Sequence, residues 1–265
     1  MDQTKTSKTI LFILIQGSTC SGKTSFADYI DAILSPHLRI ERIALDEYYK
    51  KRDFLFTDPV ARNYDFDCPA AFDWDDIAAT ITGYVTNDRL IRCISFDFAT
   101  QRRAEYHKKN TNPDVIVVEG LYAFNLFNSS VFDCSRISCW KKPPENENEL
   151  IENETGIAEC RSIRILLQAN KKRVKELRAK RDQAERNTTA ETESLDVRLD
   201  EYVWPATEKW VHSAHSRVDY LIPDGSFNVG ECMRVAKELQ KHLMVEGSIG
   251  EIKKVERRRN TGKSG

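Results

Sequence analysis

The chain has 265 residues, with 40 lysines and arginines against 41 aspartates and glutamates, and its formal net charge is −1. This balance argues against a protein that binds nucleic acid or an anionic membrane surface. Seven cysteines without a C-x-x-C pair and five histidines without an H-E-x-x-H pattern argue against a secreted disulfide framework and a zinc site. The composition favours a cytoplasmic protein with reduced thiols, and the length allows one large α/β domain.

The first informative segment in chain order is a phosphate-binding loop. An apolar run at 10–15 predicts a buried strand, and residues 22–34 predict the helix that follows it. Between them lies a G-x-x-x-x-G-K-T pattern, formed by Gly17, Ser18, Thr19, Cys20, Ser21, Gly22, Lys23 and Thr24. In such a loop backbone N–H groups and the helix N-terminus point at the phosphates. Lys23 would reach the β- and γ-phosphates and Thr24 would ligate Mg²⁺, so the pattern predicts binding of a nucleoside triphosphate.

Predicted strands and helices alternate along the rest of the chain. The strands are 10–16, 40–45, 91–96, 114–119, 163–168 and 219–222, and the helices are 22–34, 73–84, 171–186, 195–215 and 230–245. Crossovers of this length imply an α/β fold with three layers, a parallel sheet between two layers of helices. Ligands of such sheets bind at the carboxyl ends of the strands, which is where the loop at Gly17 lies.

Two carboxylates follow predicted strands at this edge. Asp46 comes after the second strand, where it either accepts a proton from a group that attacks the γ-phosphorus or caps a helix. Glu119 ends the fourth strand and precedes Gly120. A carboxylate there suits a Mg²⁺–water site beside Thr24.

Two further segments leave their alternatives open. Asp65 and Asp67 are either turn residues or, in the case of Asp67, an acceptor of hydrogen bonds from a vicinal diol such as a ribose. The helix at 171–186 is rich in arginine. It presents either a solvated basic face or a lid whose arginines, Arg178 and Arg181 among them, offset charge that develops during phosphoryl transfer.

Taken together, these motifs resemble the uridine kinase-like family of P-loop phosphotransferases, which includes uridine–cytidine kinases, nicotinamide riboside kinases and phosphoribulokinases. Residues 46–49 (DEYY) are similar to its D-x-F-Y motif, and residues 64–73 (YDFDCPAAFD) are similar to Y-N-F-D-H-P-D-A-F-D. Residues 96–103 (FDFATQRR), 118–124 (VEGLYAF) and 181–186 (RDQAER) resemble Y-D-F-V-T-H-S-R, F-E-G-I-L-A-F and the R-D-I-S-E-R of the lid. The likeness extends over roughly residues 9 to 240.

The resemblance implies an ATP- and Mg²⁺-dependent kinase that phosphorylates a ribosyl 5′-hydroxyl. It implies that Asp46 is the base, that Asp67 binds the ribose diol, and that Lys23, Thr24 and Glu119 serve the phosphates and the metal. The lid would close on the phosphates with Arg178, Arg181 and Arg186. The acceptor pocket would be lined by Tyr49, Phe96, Phe98 and Gln101.

Departures from the family pattern concern the base of the acceptor. Uridine–cytidine kinases read the pyrimidine with a tyrosine, a histidine and a lid arginine, and the matching positions here are Phe96, Gln101 and Thr188. Pyrimidine ribonucleosides remain the first expectation. Nicotinamide riboside is the alternative, because a cationic ring suits aromatic stacking and residues 203–205 (VWP) resemble nicotinamide riboside kinases. A nucleotide-binding protein without transfer activity is a second alternative.

The same reading predicts the organisation of the chain. Residues 1–8 are expected to be a disordered N-terminus, 9–246 a single kinase domain, and 247–265 a disordered basic tail. Within the domain we expect a lid at about 171–200 and an acidic insert at about 141–155. No signal peptide or membrane span is expected, because the first apolar run is too short. The predicted partner is a small nucleoside rather than nucleic acid or a membrane, and a homo-oligomer is compatible with the sequence.

Overall fold

A computed structural model describes residues 9–55, 58–98, 100–128, 137–142, 155–185 and 196–260. Its strands are β1 (Leu11–Gly17), β2 (Ile40–Ala44), β3 (Leu90–Asp97), β4 (Arg102–Lys109), β5 (Val115–Gly120), β6 (Ser162–Gln168) and β7 (Tyr220–Pro223). The helices are α1 (Lys23–Leu34), α2 (Trp74–Val85), α3 (Lys171–Glu185), α4 (196–217) and α5 (Val229–Asn260). Helix α4 contains π-helical turns at Leu199–Val203 and Thr207–Val211.

Five of the strands form one parallel sheet in the order β2-β5-β1-β6-β7. Every residue of β1 and β5 is buried, as expected for central strands covered on both faces. Alternate residues of β1 enter two different cores: Phe12 packs with Ile77 of α2, whereas Ile13 packs with Phe26 of α1 and Leu239 of α5. The predicted three-layer α/β/α fold is therefore confirmed.

The strand predicted at 91–96 is real, but it does not join the parallel sheet. It belongs to β3, which pairs antiparallel with β4 from Leu90↔Lys109 to Asp97↔Arg102. This hairpin forms a separate two-stranded sheet. Only one of its strands contributes to the core, where Ile91 and Ile94 pack with residues of α2. The expectation of a sixth parallel strand was wrong, because β4 (RRAEYHKK) is almost entirely polar and lacks the alternation that would have revealed it.

The described residues cover the predicted tail, insert and lid only in part. Helix α5 continues to Asn260 and so includes the first part of the segment expected to be a disordered tail. Most of the predicted acidic insert lies outside the described residues, as do Arg186 and Thr188 of the predicted lid. Among the described helices, none combines the length and the apolar character needed to cross a membrane.

Candidate active site

The phosphate loop lies between the end of β1 and the start of α1, as the sequence pattern requires. Gly22 is the N-cap of α1 and has φ 82°, a left-handed conformation that glycine adopts without strain. A Cβ atom at Gly22 would collide with the side chain of Ser226, and one at Gly17 would lie 2.6 Å from the carbonyl oxygen of Leu167. Both glycines are therefore needed for the close packing of this loop.

Polar groups inside the loop suit an anion. The Lys23 side chain is only 7% exposed, and its Nζ donates to the carbonyl oxygen of Ser18 at 3.0 Å. Ser18 and Ser21 are fully buried, and neither hydroxyl has a hydrogen-bond partner within the described part of the chain. Since buried polar groups are normally paired, these unsatisfied groups fit a loop that is completed by bound phosphates.

Strand register brings Glu119 close to Thr24 and the phosphate loop. Glu119 is the register partner of Ile15 on β1 and of Ala44 on β2, so the ends of three neighbouring strands meet there. The Thr24 hydroxyl donates to Glu119 Oε1 at 2.7 Å. Burial raises the pKa of Glu119, and the positive charge of Lys23 opposes that rise. The hydrogen bond uses the hydroxyl proton of Thr24 and leaves the oxygen lone pairs for a cation.

Asp46 lies at the same sheet edge, in the single helical turn Leu45–Tyr48 that follows β2. The N-cap of this turn is Ala44, so Asp46 is not the helix cap that one alternative foresaw. Ala44, two residues before Asp46, is the register partner of Glu119, and the charge of Asp46 contributes to the raised pKa of Glu119. The Oδ1 atom of Asp46 is buried and lacks a hydrogen-bond partner among the residues that the structure describes.

Mg²⁺ in phosphoryl-transfer sites is held by one or two side chains together with phosphate oxygens and water. In line with this, the described residues contain no cluster of three or more His, Cys, Asp and Glu side chains that could hold a metal ion by itself. Thr24 and Glu119 offer oxygen atoms of the type that Mg²⁺ prefers. The donor set fits a metal that arrives with the nucleotide.

The structure gives Asp65 and Asp67 different contacts, a turn for Asp65 and an ion pair for Asp67. Asp65 is the turn residue, since its Oδ1 accepts from the backbone N–H of Asp67 at 2.9 Å. Asp67 instead forms an ion pair with Arg178 of α3, with 3.5 Å between Nη1 and Oδ1. Both side chains of this pair are about nine-tenths buried. Burial raises the pKa of Asp65 to about 7, and the charge of Asp67 adds to the rise.

Helix α3 directs two of its arginines to different segments of the site. Arg178 reaches Asp67, whereas Nη1 of Arg181 donates to the hydroxyl of Thr19 in the phosphate loop at 3.2 Å. The solvated-face interpretation therefore does not apply to these two residues. Lys171 and Lys175, by contrast, are exposed and form ion pairs with Asp200 and Asp196 of α4.

A cluster of aromatic rings packs between the turn after β2 and the β3–β4 hairpin. The ring of Tyr49 stacks on Phe72 at 4.5 Å and lies 5.6 Å from Phe96 and 6.0 Å from Phe98, measured between ring centroids. Gln101 is partly buried in the turn between β3 and β4. The hairpin that was misassigned to the sheet is thus the element that carries three of the predicted acceptor residues.

Other residues at this site were not found from the sequence. Glu47 accepts from the backbone N–H of Phe96 at 2.6 Å and so ties the hairpin to the turn that holds Asp46. Ser226, in the loop before α5, donates its N–H to the carbonyl oxygen of Ser21 at 2.9 Å. Arg198 of α4 donates to two carbonyls near Asp67. None of these residues has a periodic or spacing signal, since each acts through a contact between distant segments.

Comparison with known proteins agrees with this geometry. Residues 12–135 match the phosphoribulokinase/uridine kinase family. The chain is 33% identical to a uridine kinase of Mycoplasma genitalium over 113 residues, which cover 42% of this chain and 51% of that protein. It is 26% identical to uridine-cytidine kinase B of Dictyostelium discoideum over 248 residues, which cover 94% of this chain and 88% of that protein. The chain thus spans about half the length of the first relative and most of the second.

A solved structure supports the fold. The phosphoribulokinase from Rhodobacter spheroides superposes with a TM-score of 0.52 at 15% identity, over 82% of this chain and 71% of that one. At this identity the likeness concerns the arrangement of strands and helices. Together with the matching residues 12–135 and the two relatives, it shows that the chain is similar to the phosphoribulokinase/uridine kinase family and shares the fold of a P-loop kinase.

Proposed function

We propose that the protein transfers the γ-phosphoryl group of ATP to the 5′-hydroxyl of a ribonucleoside, with uridine or cytidine as the first candidates. The observation that carries this proposal is the meeting of two groups at one sheet edge. The hydroxyl of Thr24 is bonded to Glu119 at 2.7 Å, and a buried oxygen of Asp46 without a partner in the described chain lies near them. A protein that only binds a nucleotide has no use for that second carboxylate.

In the proposed reaction each group has a defined task. Lys23 and the backbone of the loop from Gly17 to Thr24 hold the phosphates. Asp46 accepts the proton of the acceptor hydroxyl as its oxygen attacks the γ-phosphorus. Bound Mg²⁺ would neutralise charge on the phosphate oxygens, and Thr24 and Glu119 are the residues that would hold it.

The lid would complete the site once both substrates are present. Arg181 already contacts the phosphate loop at Thr19, a position from which its charge would offset negative charge in the transition state. Arg178 pairs with Asp67. We infer that the acceptor diol hydrogen-bonds to Asp67, and that Arg186, which lies outside the described residues, joins the other two arginines.

Nicotinamide riboside is the second candidate acceptor. It is favoured by the aromatic rings of Tyr49, Phe96 and Phe98, because a cationic ring gains from contact with aromatic faces. The uncharged amide of Gln101 is compatible with either acceptor.

A coupled assay with ATP and Mg²⁺ tests the proposal on a panel of uridine, cytidine, adenosine, guanosine, nicotinamide riboside and ribulose 5-phosphate. We expect turnover with a pyrimidine ribonucleoside. A preference for nicotinamide riboside would support the same phosphoryl transfer with a different acceptor. Tight ATP binding without turnover of any acceptor would contradict the proposal and favour a nucleotide-binding protein without transfer activity.

A further inference from the structure

Helix α4 holds the chain segment that precedes Asp67, here called the acceptor loop (residues 61–67). Arg198 donates from Nη1 to the carbonyl oxygen of Ala61 and from Nη2 to that of Tyr64, both at 3.2 Å. The hydroxyl of Tyr202, one turn further along α4, donates to the carbonyl oxygen of Arg62. Three carbonyl groups within four residues of the acceptor loop are therefore bonded to one helix.

The opposite side of the acceptor loop is held by another segment. The backbone N–H of Asp65 donates to the carbonyl oxygen of Cys139 at 2.7 Å, and the N–H of Lys141 donates to that of Asn63 at 3.0 Å. These bonds involve only the backbone, so they remain when a side chain of α4 is changed. Without Arg198 the loop should keep its fold but lose two of its three hydrogen bonds from α4.

The surroundings of the Arg198 guanidinium stabilise its positive charge. Its guanidinium lies 5.5 Å from the centroid of the Phe66 ring and 5.0 Å from that of Tyr202, both within cation–π range. Burial lowers the pKa of Arg198, and the negative charge of Asp67 opposes that effect. Placing a charge in such a position is costly unless it is paired and hydrogen-bonded, and the two carbonyls, the two rings and the nearby carboxylate together provide this.

We infer that Arg198 is a positioning residue for the acceptor: it fixes the acceptor loop so that the Asp67 carboxylate meets the ribose diol. The inference rests on the proposed function. Arg198 differs from Arg178, which contacts the carboxylate of Asp67 itself and so shares that group with an incoming acceptor. Arg198 bonds to backbone carbonyls and can hold them while the acceptor binds.

The test compares Arg198→Met with Arg198→Lys and with Lys209→Met, which removes a positive charge from an exposed position of the same helix. We expect Arg198→Met to raise the KM for the acceptor about tenfold, with a change in kcat below about threefold and an unchanged Kd for ATP. Arg198→Lys should restore part of the affinity, since an ammonium can reach one carbonyl but lacks the planar fork. Lys209→Met should behave like the wild type.

Hydrogen exchange of the backbone amides gives a readout that does not depend on turnover. In Arg198→Met the amides of the acceptor loop should exchange faster, whereas those of α1 should not change. An unchanged acceptor KM together with unchanged exchange would overturn the inference, as would an equal loss of ATP affinity. If the wild type phosphorylates no acceptor, the proposed function fails, and the exchange experiment still decides whether Arg198 positions the loop.

Discussion

The proposed donor end and the proposed acceptor end of the site are assembled in different ways. The donor end comes from one contiguous stretch, Gly17 to Thr24, to which Glu119 adds one hydrogen bond. The acceptor end draws on separate segments: the turn after β2, the acceptor loop, the β3–β4 hairpin and the helices α3 and α4. The phosphate-binding motif is thus local to one loop, whereas a substitution in any one of several segments can change the composite pocket. Variants at one end should therefore affect mainly ATP, and variants at the other end should affect mainly the acceptor.

The largest effect is expected at Asp46. Replacement by Asn keeps the size of the side chain but removes the base, so kcat should fall by about 10²–10⁴-fold while the Kd for ATP stays within about twofold. Steady-state kinetics and ATP titration together measure this. Loss of ATP affinity in parallel with kcat would mean that Asp46 belongs to the donor end instead.

Glu119→Gln should have the next largest effect. Glutamine can still accept the hydrogen bond from Thr24, but it lacks the charge that stabilises a Mg²⁺–water shell. We expect a decrease in kcat of about tenfold to a hundredfold, and a higher Mg²⁺ concentration for half-maximal rate. The control is Thr24→Ser, which retains the hydroxyl and should keep most of the activity. A Glu119→Gln enzyme with normal Mg²⁺ dependence would exclude the metal role.

Arg178 and Arg181 of α3 provide a direct test of the division into two ends. Arg178 contacts Asp67, and Arg181 contacts Thr19. Replacing Arg178 with Met should raise the KM for the acceptor about tenfold, and replacing Arg181 with Met should raise the KM for ATP by a similar factor. Equal effects of both variants on both substrates would show that the lid acts as one unit and that the ends are not separable.

The residues that could be predicted from the sequence and those that could not follow the same division between the two ends. Gly22, Lys23 and Thr24 could be assigned because a short motif between a strand and a helix fixes their geometry. Asp46 and Glu119 were located through strand ends, which the alternation of apolar and polar segments reveals. The pairing of β3 could not be predicted, because its partner β4 is polar and strand pairing depends on tertiary contacts. Arg198 gave no signal, since its contacts with Ala61 and Tyr64 span more than 130 residues.

The last prediction concerns the stability of the acceptor end and its dependence on pH, rather than turnover. Burial raises the pKa of Asp65 from its ordinary value of 3.8 to about 7, with a further rise from the charge of Asp67. Between these two pH values the folded protein keeps a proton that the unfolded chain has released. The contribution of Asp65 to the free energy of unfolding therefore decreases as the pH rises from about 4 to 7, by at most ~1.4 kcal/mol per pH unit.

Asp65→Asn should remove this dependence. Asparagine retains an Oδ1 that can accept from the backbone N–H of Asp67, so the turn is kept while the titrating group is lost. Urea unfolding of both proteins at several pH values between 4 and 8 gives the difference in their free energies of unfolding. We expect the variant to gain stability relative to the wild type as the pH rises towards 7, and the difference to level off above that value. A difference that is independent of pH would mean that Asp65 is ionised throughout, with its charge balanced by Arg198 more fully than its burial would suggest.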